Sequence, residues 1–224
     1  MKKTVLVLLI FPVFFLSSCV TNPFPKVQLV DISGMDPNVV TKQFEDKITK
    51  NFEALQSFTI HFFGKEMTGL GYLSVNDETQ SFSLTCMTLM GVRLLTIQKD
   101  PNGLKTEYSF SGEDNQPEIL TEIAKDINRI YFDWTPSPTA ALKRSRCKFT
   151  FNQKNSEGGK TRFVFGGSNA NLIEKQVMDK GSRVVIQYYN YLNSPQAFYP
   201  QGIFLSNKKY HYKLIIRTKE FHVD

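Results

Sequence analysis

From Phe58 onward the chain alternates apolar and polar residues at period two. SFTIHFFGKE, GLGYLSVN, QSFSLTCM, VRLLTIQK and LKTEYSFS follow one another in this pattern. After a break come RCKFTFNQ, KTRFVFGG, NLIEKQVMD, SRVVIQYYNYL, PQGIFLSN and YHYKLIIRTK. Successive side chains of a strand point to opposite faces, so each stretch buries one face of a sheet and wets the other. Turns such as Gly-Lys-Glu, Asn-Asp-Glu and Met-Gly separate them at roughly 8–12 residues, which predicts an antiparallel meander curling into a barrel or sandwich. Phe and Tyr, 19 and 9 of the 224 residues, fill these strands, as suits a half-buried pleated surface.

Two stretches break the alternation. NVVTKQFEDKITKNFEALQ sets Val40, Phe44, Ile48, Phe52 and Leu55 on one stripe, which predicts an amphipathic helix. NQPEILTEIAKDINRIYFDW sets Ile119, Ile123, Ile127 and Ile130 on one face. Asn115 with Glu118 three residues later forms a capping-box start, and Pro117 is tolerated in a first turn. This second helix, from Glu118 to Tyr131, is expected on the concave face of the sheet, and the proline-rich DWTPSPTAAL leads out of it as a loop.

The chain opens with MKKTVLVLLIFPVFFLSSC, a positive head, an apolar run from Val5 to Leu16 and then small residues. That is the grammar of a secretory signal. The run is too short to span a bilayer comfortably, since a spanning helix needs roughly 20 residues. Leu16-Ser17-Ser18-Cys19 resembles the lipobox of bacterial lipoproteins. The resemblance implies cleavage before Cys19, a diacylglycerol thioether on its sulfur and an acyl chain on its new amine. Val20 stands where an inner-membrane lipoprotein of the enteric type has Asp, so the resemblance implies the outer membrane, with the protein facing the periplasm. Residues 1–18 are then a signal peptide, 19–37 an extended, proline-bearing tether, and 38–224 the folded domain.

Of 27 basic and 21 acidic residues, Lys2 and Lys3 lie in the signal, which leaves a mild excess of four cations. That balance suits a protein beside anionic lipid and is no nucleic-acid footprint. Cys86 and Cys147 both fall on apolar strand faces, as ordinary buried thiols do, in a compartment where pairing is chemically allowed.

Chemical motifs are absent or broken. NSEGGKT, residues 155 to 161, has Lys154 where a phosphate loop needs its first glycine, and a strand rather than a helix follows. A glycine hairpin turn accounts for it. His61, His211 and His222 are scattered, with no metal-ligand spacing. There is no G-x-S-x-G, and Ser81 and Ser83 lie within a strand. Asp126 and Asp133 beside the second helix read as solvated charge. No catalytic residue, metal site or cofactor is expected.

Lipobox, N-terminal helix, strand meander, helix plug and further strands together resemble the LolA/LolB-type carriers and receptors that move lipoproteins to the outer membrane. GYLSVN, SFSLTCMTLMGVRLLTI, DINRIYFDW and YPQGIFLSNKKYHYKLIIRTKEF are similar to a group of bacterial lipoproteins of unknown function related to them, over about Thr41 to Phe221. The resemblance implies a single curved antiparallel sheet, a half-open barrel plugged by the second helix. It also carries over one site. LolB-type receptors have a turn whose exposed apolar residue, followed by Gly, touches membrane or cargo. Here the turn reads Thr88-Leu89-Met90-Gly91, with Thr-Leu in place of the family's Asn-Pro. A hairpin tip whose Leu89 and Met90 cap the core is the plainer account of the same residues.

The leading functional expectation is a noncatalytic lipoprotein that binds acyl chains as receptor or insertion factor for lipidated cargo, or for another amphiphile such as a glycolipid or polyene lipid. A soluble periplasmic carrier is one candidate donor, and the sequence leaves open whether a carrier delivers the cargo. The cavity would be lined by Phe62, Tyr72, Phe82, Leu84, Leu94, Phe149, Phe163, Phe165 and Ile186 of the strands and by Ile123 and Ile127 of the plug. A structural lipoprotein scaffolding an envelope complex is the alternative, and an enzyme acting on lipid head groups the third. A real cavity favours the binder; a buried polar cluster with displaced pKa values favours the enzyme.

Overall fold

The structure is a computed structural model that describes residues 21–62, 64–108, 117–155, 158–179 and 181–223. Helix α1 (Pro37–Lys47) is followed by β1 (Phe52–Phe62), β2 (Lys65–Asn76), β3 (Ser81–Met87), β4 (Arg93–Asp100) and β5 (Gly103–Tyr108). Helix α2 (Pro117–Tyr131) then leads to β6 (Ala141–Ser145), β7 (Lys148–Lys154), β8 (Lys160–Gly166) and β9 (Asn171–Asp179). The chain ends with β10 (Ser182–Asn193), β11 (Phe198–Asn207) and β12 (Tyr212–Val223). All twelve strands join one antiparallel sheet in the order β5-β4-β3-β2-β1-β12-β11-β10-β9-β8-β7-β6. The sheet is curved and unclosed. β5 and β6 are its two edges, and α2 is the connection between them. Every side chain of β6 is exposed, and Lys143 and Arg144 put charge on this edge, which guards it against pairing with another chain.

The expected alternation sets the inner face. Phe52, Ala54, Leu73, Val75, Phe82 and Ile97 face inward from one half, and Phe149, Phe163, Phe165, Leu172, Ile186 and Leu205 from the other. β6 and the first turns of β1 depart from expectation. The stripe through Val40, Phe44 and Ile48 holds, but α1 ends at Lys47 and Ile48 is extended, its N–H returning to the Phe44 carbonyl at 2.9 Å. Phe52 and Leu55 belong to β1 instead. A strand laddered on both sides, with β2 and with β12, gains more than a helix continued by residues that only coincide in spacing. Phe52 thereby stacks on Phe221, ring centroids 4.7 Å apart.

Asp36 caps α1, its carboxylate accepting the Asn38 N–H at 2.8 Å, with Pro37 at the first position. The helix exists to deliver Phe44, which is 3% exposed. Its ring meets Phe165 edge-on at 5.5 Å and Tyr191 and Phe198 at 5.8 Å. α1 therefore closes the β8–β11 half of the inner face. Part of the expected extended tether packs on the sheet: Asn22 bonds Gln187, and Ile32 is 1% exposed. Asn115 and Cys19 lie outside the described residues.

Phe44→Ala should cost about 3–5 kcal/mol, the usual loss for an aromatic deleted from a closed core. Urea unfolding followed by circular dichroism reads it directly.

Candidate functional site

α2 lies against the inner face with Ile123, Ile127 and Ile130 toward the sheet, where it roofs an apolar cavity of about 120 Å3. Phe58 and Ile60 of β1, Leu84 and Cys86 of β3, and Leu214 and Ile216 of β12 form much of the wall. Ile123, Ile127 and Ile130 close it from above. Two inward glycines of β2 make the space. A Cβ on Gly69 would stand 2.8 Å from Phe58 Cζ, and one on Gly71 3.2 Å from Leu84 Cδ1. Burial in this wall pushes the Cys86 thiol up to about 12. Cys86 and Cys147 are both free thiols.

Of the expected lining, Leu84, Leu94, Ile123 and Ile127 stand in the cavity wall. Phe62 packs half-buried at the end of β1. Phe82 is 4% exposed and closes on Phe132, centroids 6.4 Å apart. Phe149, Phe163, Phe165 and Ile186 are wholly buried in solid packing rather than beside open space. Tyr72 is a correction of another kind: it points outward, 42% exposed, with its hydroxyl on the Glu53 carboxylate. Leu73 and Val75 hold the inward parity of β2, which leaves Tyr72 outside.

A polar band fastens α2 beside the cavity. Asp126, expected in solvent, is 2% exposed. The cause is the helix's orientation: Glu122, Asp126 and Arg129 recur at about one-turn intervals and face the ends of β11 and β12. Arg129 donates to Asp126 at 2.5 Å and to Glu122 at 2.7 Å. Asn207 donates to Asp126 at 3.1 Å, and the Tyr212 hydroxyl donates to the same carboxylate. Burial raises the Asp126 pKa, against the pull of Tyr212, Arg129 and Asn207. Each group is engaged by the others, and Asp126 and Tyr212 reach the cavity wall. On the same wall the Tyr131 hydroxyl donates to Gln56 Oε1 at 3.0 Å. In the sequence these three residues read as a solvated helix face, because nothing there shows that Asn207 and Tyr212 meet them.

The far end of α2 is held by a buried cation. Lys175 of β9, 1% exposed, donates to the carbonyls of Arg129 and Asp133 at 2.9 and 2.5 Å. It thus satisfies carbonyls that a helix C-terminus leaves without partners. Tyr188 donates to the Ile130 carbonyl at 3.2 Å, and Lys99 to the Asn128 side chain at 2.6 Å.

Beside the cavity stands the expected turn. The Thr88 N–H bonds the Val92 carbonyl at 2.9 Å and the Gly91 N–H the Thr88 carbonyl at 3.0 Å. Gly91 takes φ +82°, a left-handed conformation that favours glycine. Leu89, Met90 and Val92 are 67%, 91% and 56% exposed, so none of them caps the core. Met87 pairs with Leu70, which sets the turn alongside the start of β2. There Met67 is both half-exposed and part of the cavity wall.

A curved, unclosed antiparallel sheet with a helix across its inner face over an apolar cavity is the LolA type of fold. A LolA-superfamily protein of Nitrosomonas europaea is similar, with a TM-score of 0.56 at 7% identity over 85% of this chain and 94% of that one. A DUF1329-family protein of Desulfovibrio piger is similar with a TM-score of 0.50 at 8% identity, over 83% and 91%. The chain itself belongs to the family described as "Protein of unknown function (DUF3261)", which it matches over residues 53–220. No curated protein matches it in sequence.

Burial lowers the Lys175 pKa from 10.5 to about 8, with Asp133 opposing. Between those values the unfolded chain holds a proton that the folded chain has released, so this group makes stability rise as pH rises through the window. Below pH 8 the full cost of the buried charge is present. Melting temperatures between pH 7.5 and 9, below the range where the unfolded Cys86 thiol ionises and opposes it, should show that rise, and Lys175→Met should flatten it.

Proposed function

We propose that this protein is a noncatalytic lipoprotein, anchored through acylated Cys19 in the outer membrane and facing the periplasm. It binds acyl chains of a lipidated protein, or of another amphiphile such as a glycolipid or polyene lipid, as receptor or transfer factor. The observation that carries the reading is the juxtaposition of an apolar cavity with an exposed apolar turn at Met67. Each methylene withdrawn from water into such a wall contributes about 0.8 kcal/mol. A space of 120 Å3 is close to the roughly 150 Å3 that admits one benzene ring. It takes the end of a chain, and a longer segment enters by lifting α2. Leu89, Met90 and Val92 give that chain an apolar surface on its way in, and the flexible Met suits varied cargo. A scaffold would have no use for such a space, which favours the binder.

Native mass spectrometry of the chain purified with Cys19→Ala tests the reading by what copurifies. An amphiphile should be found on this variant and be largely lost on Leu84→Trp, which fills the cavity. Recovery of the bare chain after incubation with acylated peptide and with free phospholipid would refute acyl binding.

Met90→Glu should leave the stability within about 0.5 kcal/mol of the parent's, read as an almost unchanged melting temperature, because the residue contributes little to the core. Transfer of an acylated cargo should fall, since the carboxylate must be desolvated against an acyl chain. Unchanged transfer would leave the turn without a role.

A further inference from the structure

The segment ahead of α1 is built into the outside of the sheet. Phe24 stacks on Tyr189, ring centroids 4.9 Å apart, and the Arg217 guanidinium lies 5.0 Å from the Phe24 ring. Gly202 of β11 provides the notch, since a Cβ there would stand 2.5 Å from Phe24 Cε1. Asn22 donates to the Tyr189 hydroxyl at 2.6 Å and to Gln187 at 2.9 Å. With Val27, Phe24 covers Tyr189, Phe204 and Ile215, an apolar patch on the outer face. Further along, Asp31 pairs with Arg146 at 2.8 Å, and the Ile32 N–H donates to the Arg146 carbonyl at 2.9 Å.

We propose that this docked strap lays the domain on the outer face of β10–β12 against the anionic bilayer that holds Cys19. The inference rests on acylation of Cys19 as proposed above. Cys19 stands three positions before Asn22, at most about 10 Å of chain. The anchor therefore emerges over the outer face of β10–β12, and that face cannot stand far from the lipid. Its charge fits: Lys26, Arg183 and Arg217 are exposed on it or at its border, with Lys208 and Lys209 on the adjoining turn. Glu174, on the same side, is held by Arg162 at 2.6 Å. Clustered cations of this kind are drawn to anionic head groups.

The same geometry places the apolar turn elsewhere. Tyr189, Gly202, Arg217, Ser57, Leu70 and Met87 form one cross-strand row. Thr88–Val92 thus stands five strands round the curve from Phe24, about 24 Å along the sheet at about 4.8 Å per strand. The docked strap turns the mouth away from the protein's own lipid and toward arriving cargo.

Tryptophan fluorescence tests this, because the single native Trp134 is 5% exposed and serves as a constant background. The chain carrying lipid on Cys19 is reconstituted in phosphatidylglycerol vesicles with brominated acyl chains. Where mass spectrometry finds no native acyl chain, a thiol-reactive phospholipid is coupled to Cys19 in a Cys147→Ser background. Failure of the anchor thus reads separately from failure of the strap. Ser206→Trp, on the outer face of β11, should be quenched severalfold more than Met90→Trp. Phe24→Asp should abolish the difference, and so should Gly202→Ala, which leaves the strap's own sequence intact. Equal or stronger quenching at position 90 would overturn the orientation. A difference that survives both undocking substitutions would overturn the strap as its cause.

Discussion

β1 and β12 come from distant parts of the chain and meet along their length, from Phe52 opposite Val223 to Phe62 opposite Tyr212. Two meanders, β1 to β5 and β6 to β12, become one sheet through this pairing. The cavity wall depends on it, because Phe58 and Ile60 lie one strand from Leu214 and Ile216. So does the fastening of α2, which takes Gln56 from β1 and Tyr212 from β12. Closing so long a loop costs entropy that only the finished ladder and core repay. The joint is therefore expected late in folding, and the site exists only after it.

α2 is held by two unlike kinds of interaction. Its isoleucine stripe faces a space that is partly empty, so those side chains forgo some of the dispersion contacts of a filled core. The polar band and the Lys175 cap supply direct bonds at its flank and its end. Buried polar contacts are costly to leave half-made, about 1–3 kcal/mol for a single orphaned group. They favour one seated position of the helix over many loosely packed ones.

The period-two pattern showed the inward face of nearly every strand, and the isoleucine stripe showed both the second helix and the side it buries. Periodicity carries parity and nothing about depth. Phe149, Phe163 and Phe165 share the inward parity of the cavity residues, yet they lie in filled core, where Phe44 of α1 meets Phe165 and Lys175 lies over the Phe163 ring. Phe52 and Leu55 fit both a helical stripe and the start of β1, so the stripe alone extends the first helix beyond its end at Lys47. Parity rather than aromatic character places a strand residue: Leu73 and Val75 face inward, so Tyr72 faces out. The polar band was missed because Glu122, Asp126 and Arg129 look like any solvated helix face until Asn207 and Tyr212 are brought beneath them. Cys19 was legible as a motif, but the docking of the residues after it was not. It depends on Gly202 and Tyr189, more than 150 residues away in sequence.

The two edge strands, β5 and β6, are joined through α2 rather than through a ladder of their own. A closed barrel has a fixed circumference, set by strand number and stagger, and can widen only by breaking backbone bonds. This sheet carries no such restriction. An open sheet can relax its curvature with all eleven strand pairings intact, so the resistance to widening resides in side chains around one helix. Girth is then an adjustable quantity, and the space beneath the helix can widen on the same backbone.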